Sequence, residues 1–279
     1  MTRYLVTGGA GFIGSHIATA LVERGGKVRV IDNLSTGRLA NLAHIDSSIE
    51  FVRGDISNLD AVRAAVDEID IIFHQAALAS VPLSVENPLA THQACVTGTL
   101  NILHAAQQAN VKRVVYAASS SLYGDQPTSC KREVDTPAPL SPYGVAKLAA
   151  EYYCQAFYHT YGLETVCLRY FNVFGPRQDP DSAYSAVIPL FITAMLQGKG
   201  PTIYGDGLQS RDFTFVENVV QGNLLAAEQA AAPGKSFNIA NGRATDLLTL
   251  IHTLNSLLGT DIAAQHEPAR PGDIRDSMA

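Results

Sequence analysis

The 279-residue chain has no tryptophan, three methionines, four cysteines and no run of lysine or arginine, and only 16% of it is charged. With a formal net charge of −6 and a sequence pI near 5.7, it offers no broad positive field, which argues against a nucleic-acid or anionic-membrane surface. A small anionic ligand held by locally placed basic residues stays open. Cys95, Cys130, Cys154 and Cys167 form no C-x-x-C pair, so reduced, mostly buried thiols are expected and no metal site is predicted. No apolar run reaches the ~18 residues of a bilayer span. The stretch "RYLVTGG" enters a strand almost at once with no secretory leader before it, and a cytoplasmic, soluble protein is the expectation.

What the chain does have is apolar content, 47% of its residues, enough for a sizeable core. Short β-branched runs, "RYLVT", "KVRVID", "IEFVR", "DIIFH", "KRVVYAAS" and "ETVCLRY", alternate with helical patterns such as "FIGSHIATALVERG" and "NILHAAQQAN". Near-continuous apolar strands separated by helices predict an α/β fold, a doubly wound parallel sheet covered on both faces. After Tyr170 the alternation weakens. Residues 1–170 are expected to form a dinucleotide-binding domain, and residues 171–279 mainly a smaller substrate lobe with some segments returning to the sheet. In "DLLTLIHTLNSLLG", Leu247, Leu250, Ile251, Leu254 and Leu258 share one helix face. The final "RPGDIRDSMA" shows no closing helix or strand, and the chain is expected to be a piece of a longer protein.

Gly8, Gly11 and Gly14 in "LVTGGAGFIG" fall between the first strand and the first helix, with Phe12 and Ile13 opening that helix. Backbone amides there can hold a pyrophosphate if no side chain blocks it. Asp32 closes the second strand 18 residues after Gly14, beside Asn33, where a carboxylate suits the two hydroxyls of an adenosine ribose and repels a 2′-phosphate. Together these features predict a Rossmann-type domain binding NAD in preference to NADP. Arg29 and Arg38 lie close enough in sequence to weaken that preference, and Asp32 alone would also read as a solvated strand-end acid. Asp55, followed by Ile56, contacts the adenine or caps a helix.

Tyr143 and Lys147 in "SPYGVAKL" stand one turn apart on a helix that Ser141 would cap and Pro142 would open. Alone, the pair reads equally as two surface residues. With a dinucleotide turn and the upstream "AASSSLYG" it becomes chemical: a phenol of pKa near 10 acts as a base near pH 7 only if depressed by about three units, or about 4 kcal/mol. A lysine ammonium and a positive nicotinamide supply that. Ser119 would hydrogen-bond the same substrate hydroxyl.

The ordered set "TGGAGFIG", "HQAA", "SSSLYG" and "YGVAK" resembles the extended short-chain dehydrogenase/reductase family, in its nucleotide-sugar epimerase branch, over essentially the whole chain. The resemblance implies Tyr143 as base, Lys147 as the group that lowers its pKa and holds the nicotinamide ribose, and Ser119 as hydroxyl partner. It places Ala76 and Ala77 against the cofactor and makes His74 structural. Dehydratases of this superfamily follow the Ser119 hydroxyl with an Asp-Glu pair, and decarboxylases keep a glutamate there. Ser120 and Ser121 stand here instead, and neither is a practical base, so elimination loses its machinery and 4-epimerisation remains.

At the substrate end the resemblance implies Asn172, Arg211, Arg270 and Asp273 around a UDP moiety, with Ser80, Ser120 and Ser121 toward the sugar. A small residue at Ser277 would leave volume for an acetamido group. Leu83 stands where relatives often have arginine. Arg211 and Asp212 would alternatively form a local ion pair. The lead reading is an NAD-dependent UDP-hexose 4-epimerase working through a transient 4-keto sugar. The alternatives are epimerisation of UDP-glucuronate or another nucleotide sugar, net oxidoreduction, or a dinucleotide-binding sensor. A homodimer packing "GTLNILHAAQQA" and the Tyr143 helix against their copies is also implied.

Overall fold

A computed structural model describes residues 1–126, 130–180, 186–269 and 275–279. The six strands read from the sequence form where their apolar runs lie: β1 (Arg3–Thr7), β2 (Lys27–Asp32), β3 (Ile49–Arg53), β4 (Ile71–His74), β5 (Arg113–Ser119) and β6 (Glu164–Tyr170). Four short strands follow, β7 (Val173–Phe174), β8 (Thr202–Tyr204), β9 (Ser210–Asp212) and β10 (Thr214–Phe215), before β11 (Lys235–Ile239). The main sheet is parallel throughout, in the order β11-β6-β5-β4-β1-β2-β3. Strand order reverses beside β1, and the crevice outside the strand C-termini at such a point is where doubly wound sheets bind ligands. Thr7, Asp32, His74 and Ser119 all end strands at that edge.

The strands are apolar on both faces because both faces are covered. Val6, Val30, Phe73, Val115 and Val166 point into one core, with Ile17 and Leu21 of α1 (Phe12–Glu23) and Val219 and Leu224 of the later helix Val216–Glu228. Their neighbours Leu5, Ile31, Ile72, Val114 and Cys167 point into the other, against α2 (Leu59–Val66) and two further helices. The period-2 alternation of a strand thus feeds two hydrophobic layers. Burying each such aliphatic side chain contributes about 1.5–3 kcal/mol.

Between the fourth and fifth strands run α3 (Val81–Glu86), α4 (Pro88–His92), one π-helical turn over Gln93–Thr97, and α5 (Gly98–Gln108). Then comes α6 (Pro142–Tyr161), with Ser141 as N-cap accepting from the Gly144 amide at 3.1 Å and Gly162 closing it at φ +72°. The capping read from "SPYG" is as expected, and the positive φ at the other end is a conformation glycine adopts without strain.

The remaining helices are α7 (Val187–Leu196), α8 (Val216–Glu228) and α9 (Leu247–Leu258), and the last strands β12 (Ala244–Asp246), β13 (Gln265–Glu267) and β14 (Asp276–Ser277). Helices α7 and α9 enclose their own core with Ile203, using Leu247, Leu250, Ile251 and Leu254, with Leu258 partly buried beside them. By contrast β11 pairs with β6 in the main sheet, and α8 packs against that sheet. One expectation is overturned: the final stretch closes in a strand, because β14 pairs in parallel with β9 and Met278 bridges to Cys130. Nothing in its composition signals this, since two residues of edge pairing carry no periodicity.

Candidate active site

The cofactor end is built by exclusion of side chains. Gly8 turns at φ +65°, and a Cβ there would stand 2.7 Å from the Ala76 Cα. A Cβ on Gly14 would stand 2.2 Å from the Gly8 carbonyl oxygen, and one on Gly11 3.1 Å from it. Gly11 is the N-cap of α1, and no side chain caps that end. The first helical turn, opened by Phe12 and Ile13, is therefore a backbone cradle of the kind that receives a pyrophosphate. Asp32 Oδ2 accepts from the Ala10 amide at 3.0 Å and Oδ1 from the Leu34 amide at 2.8 Å. Burial pushes the Asp32 carboxyl up, and these two amides pull it back. Arg29 pairs with Glu50 at 2.8 Å and Arg38 with Asp179 at 2.7 Å. Both guanidiniums thus have carboxylate partners, which lessens their draw on a 2′-phosphate.

Asn33 Nδ2 donates to Asp55 Oδ2 at 2.8 Å, tying the residue after β2 to the second residue beyond β3. The cap of α2 is Asn58, so the helix-capping alternative for Asp55 is not realised. Burial works to raise the Asp55 carboxyl, but hydrogen bonds from Ser57 and Asn33 leave it below its ordinary value. Ile56 is buried against Gly98, where a Cβ would approach its Cδ1 to 2.5 Å.

His74 is fully enclosed, with Nδ1 2.7 Å from Thr7 Oγ1 and Nε2 2.9 Å from Thr99 Oγ1. Thr99 donates to the Cys95 carbonyl at 2.6 Å, so it accepts from His74 Nε2–H, and Thr7 donates to Nδ1. Thr7 in turn accepts from the Ala76 amide at 3.1 Å. Burial first, and the Lys147 charge second, lower the His74 pKa to about 3. His74 is a neutral tie between the Ala76–Ala77 segment and the π-helical turn beside α6. Thr7 and Thr99, its partners, were not singled out in the sequence, since isolated threonines carry no spacing signal.

Ser119, Tyr143 and Lys147 are brought together. Ser119 faces Tyr143 and works to lower its phenol, while the Ser119 hydroxyl accepts from the Ser121 hydroxyl at 2.9 Å and the Ser121 amide at 3.2 Å. Lys147 is buried, donates to the Ala117 carbonyl at 2.8 Å, and lies 5.9 Å from the Tyr143 ring centroid. Burial lowers the Lys147 pKa. Burial also pushes the Tyr143 phenol above its ordinary value, reinforced by Cys95 and opposed by Ser119. The depression expected for Tyr143 calls on Lys147 and the nicotinamide charge together, and burial sets the direction in the protein alone. Ser120 begins a short 3₁₀ turn and accepts at its carbonyl from the Tyr123 amide at 3.0 Å. Ser80 caps α3, accepting from the Leu83 amide at 3.1 Å.

At the substrate end Asn172 adopts φ +25°, and its Nδ2 is buried without a hydrogen-bond partner. A buried unpaired donor costs about 1–3 kcal/mol, so the residue fits an acceptor such as a diphosphate oxygen. Arg211 Nη1 donates to the carbonyls of Ser210 and Arg275 at 2.7 and 3.1 Å. The Asp212 carboxylate accepts from the Asn241 and Gly242 amides at 2.7 and 2.9 Å, so the local Arg211–Asp212 pair is not what forms. Ser277 stands opposite Arg211 in the β9–β14 register. Arg270 and Asp273 lie outside the described residues. Among those described, no cluster of three metal-ligating side chains occurs.

A doubly wound sheet with a glycine cradle, a strand-end acid and a Ser-Tyr-Lys set defines a dinucleotide-dependent enzyme acting on a hydroxyl. Residues 4–240 match the model of the NAD dependent epimerase/dehydratase family, and the chain belongs to that family. It is 37% identical over 272 residues to a putative UDP-glucose 4-epimerase of Methanocaldococcus jannaschii, covering 97% of this chain and 87% of the relative. A UDP-N-acetylglucosamine 4-epimerase from Methanobrevibacter ruminantium, solved with UDP-N-acetylmuramic acid, matches at TM-score 0.96 and 42% identity, over 100% of this chain and 89% of that one. The Thermus thermophilus UDP-glucose 4-epimerase, solved with NAD, matches at TM-score 0.91 and 36% identity, over 99% and 90%.

Proposed function

We propose that the protein is an NAD-dependent 4-epimerase of UDP-hexoses, with UDP-N-acetylglucosamine and its galacto epimer as the favoured pair. One observation carries this reading: the Ser119–Tyr143–Lys147 set is complete while Ser120 and Ser121 occupy the places where elimination would need an acid and a base. The relatives named for the same reaction support it.

NAD fits the glycine cradle, with Asp32 and Asn33 toward the adenosine ribose, Asp55 and Ile56 toward the adenine, Ala76 and Ala77 along the diphosphate, and Lys147 toward the nicotinamide ribose. When bound, it supplies a hydride acceptor that returns the hydride and is regenerated each turn, together with the positive charge that the Tyr143 phenol lacks in the protein alone. Tyr143 takes the proton of the sugar's 4-hydroxyl and gives it back after the 4-keto sugar has turned its other face. Ser119 stays hydrogen-bonded to both. Ser121 donates to Ser119 and so leaves the Ser119 proton to point at Tyr143 or the sugar.

Asn172, Arg211, Arg270 and Asp273 take the UDP moiety, with Ser80, Ser120 and Ser121 toward the sugar and Ser277 as the small gate beside carbon 2. In this division residues 1–170 hold the cofactor and residues 171–279 mainly the nucleotide sugar. A homodimer is the assembly we propose, through α6, which leaves Val145 and Tyr152 each 53% exposed, whereas the apolar residues of α5 are already buried against the sheet. The cytoplasm is the proposed compartment, in keeping with Cys95, Cys154 and Cys167 as buried free thiols and with no described helix able to cross a membrane. Proton NMR of the purified protein with UDP-N-acetylglucosamine, and separately with UDP-glucose, should reveal the carbon-4 epimer. Failure of both, with NAD supplied, overturns the reading.

A further inference from the structure

A run of buried and half-buried polar groups, with the exposed Glu133 at its edge, joins the catalytic helix to Met278, and the proposed chemistry uses none of them. Glu151, one turn beyond Lys147 on α6, is fully buried and pairs with Arg169 at 2.6 Å. Arg169 Nη1 donates to the Tyr123 hydroxyl at 2.7 Å, and Tyr123 donates to Asn238 Oδ1 at 2.7 Å. On its other side Asn238 Nδ2 donates to the Lys131 carbonyl at 3.0 Å, while the Asn238 backbone amide donates to Glu133 Oε1 at 2.8 Å. The Lys131 amide donates to the Met278 carbonyl at 2.8 Å, and Met278 follows Ser277.

We propose that Asn238 is a positioning residue for substrate selection, holding the strand that carries Ser277 in register with the hydroxyl run and the catalytic helix. This rests on the reading of Ser277 as the gate. Only the backbone of Lys131, its carbonyl on one side and its amide on the other, separates the Asn238 side chain from the Met278 carbonyl. Tyr123, on the near side, lies two residues after Ser121. The carboxamide is suited to the place because its two ends differ: the oxygen accepts from a phenol while the nitrogen donates to a carbonyl. A carboxylate keeps the first contact, loses the second and sets its charge against the Lys131 carbonyl. The β14 strand is only two residues long, Asp276–Ser277, so its place depends on such outside ties as well as on Arg211 opposite.

The test is a cycle of Asn238→Asp and Ser277→Tyr in the full chain with NAD bound, reading kcat and KM for UDP-N-acetylglucosamine and UDP-glucose. Ser277→Tyr alone should reject the acetylated sugar by at least about tenfold in kcat/KM relative to UDP-glucose, the order set by a single steric contact. Asn238→Asp should raise KM for both sugars about tenfold or more with kcat changed less than about threefold, and in the double variant the rejection by tyrosine should be largely relieved. If the double variant rejects the acetylated sugar as fully as Ser277→Tyr does, the positioning role is overturned and the gate stands. If Ser277→Tyr changes neither sugar, the gate reading fails, and the proposal with it. Bound NAD and circular dichroism report folding. If Asn238→Asp does not fold, Tyr123→Phe breaks the same chain at its near end while sparing the Lys131 contact, and it should show the same KM shift and partial relief. Loss of kcat and NAD together with unchanged selectivity would instead mark a purely structural role.

Discussion

The Lys147 ammonium lies 5.9 Å from the centroid of the Tyr143 ring while it donates to the Ala117 carbonyl at 2.8 Å. The lysine is thus fixed by the end of β5, the strand that also presents Ser119, and its position does not depend on the tyrosine. Tyr143→Phe should fold, bind NAD and lower kcat by about 10²–10⁴-fold, the range of a general acid–base group. Stopped conversion with intact bound NAD is the expected result. Lys147→Met should lower both kcat and NAD retention, since it removes a charge and a ribose contact together.

Ser119 accepts from Ser121 at two atoms, so the two serines are not equivalent. Ser119→Ala should cost more in kcat than Ser121→Ala, because the first removes the hydroxyl that faces Tyr143 and the second only the donor that orients it. Steady-state rates of the two variants check the ordering. Equal losses would mean that the hydroxyls act as interchangeable parts of one network.

Much of the cofactor half was legible because its demands are local. Gly8 and Gly14 are required by close backbone approach, Asp32 by its place at a strand end, and Ser141 and Pro142 by helix capping, and each leaves a mark at fixed spacing. The six long strands were legible for a similar reason, since burial on two faces needs an unbroken apolar run. What could not be read depends on contacts distant in sequence. Asn238 meets Tyr123 and Lys131 across more than a hundred residues, and β14 exists only because β9 and Met278's neighbours receive it. The burial that raises the Tyr143 phenol in the protein alone was also out of reach, because it is a property of the folded site and not of the "YGVAK" spacing.

The glycine cradle makes a steric prediction. Gly14→Ala places its Cβ where the Gly8 carbonyl oxygen would be 2.2 Å away, and the nearest atoms are backbone, which has little room to give. Loss of NAD binding by at least about tenfold, or 1.4 kcal/mol, is expected, read by fluorescence titration of the refolded apoenzyme. Gly25→Ala provides the comparison: it also has positive φ but no atom within 4 Å of its Cβ, and it should bind NAD normally.

His74 makes the pH prediction. Its folded pKa is lowered from 6.5 to about 3 by burial and by Lys147, so between those values the unfolded chain holds a proton that the folded chain refuses. The unfolded state binding more protons means that stability rises with pH across that window. The contribution is fully present above pH 6.5 and is lost as pH falls toward 3, at up to about 1.4 kcal/mol per pH unit. Urea unfolding at pH 7, 6 and 5 measures the slope. His74→Gln keeps hydrogen-bonding capacity toward Thr7 and Thr99 but has no proton to bind, and its slope should be shallower by close to one proton. An unchanged slope would overturn the assignment to His74 and place the sensitivity on His16, whose pKa burial also lowers, since carboxylates such as Asp55, with its lowered pKa, act only below about pH 4.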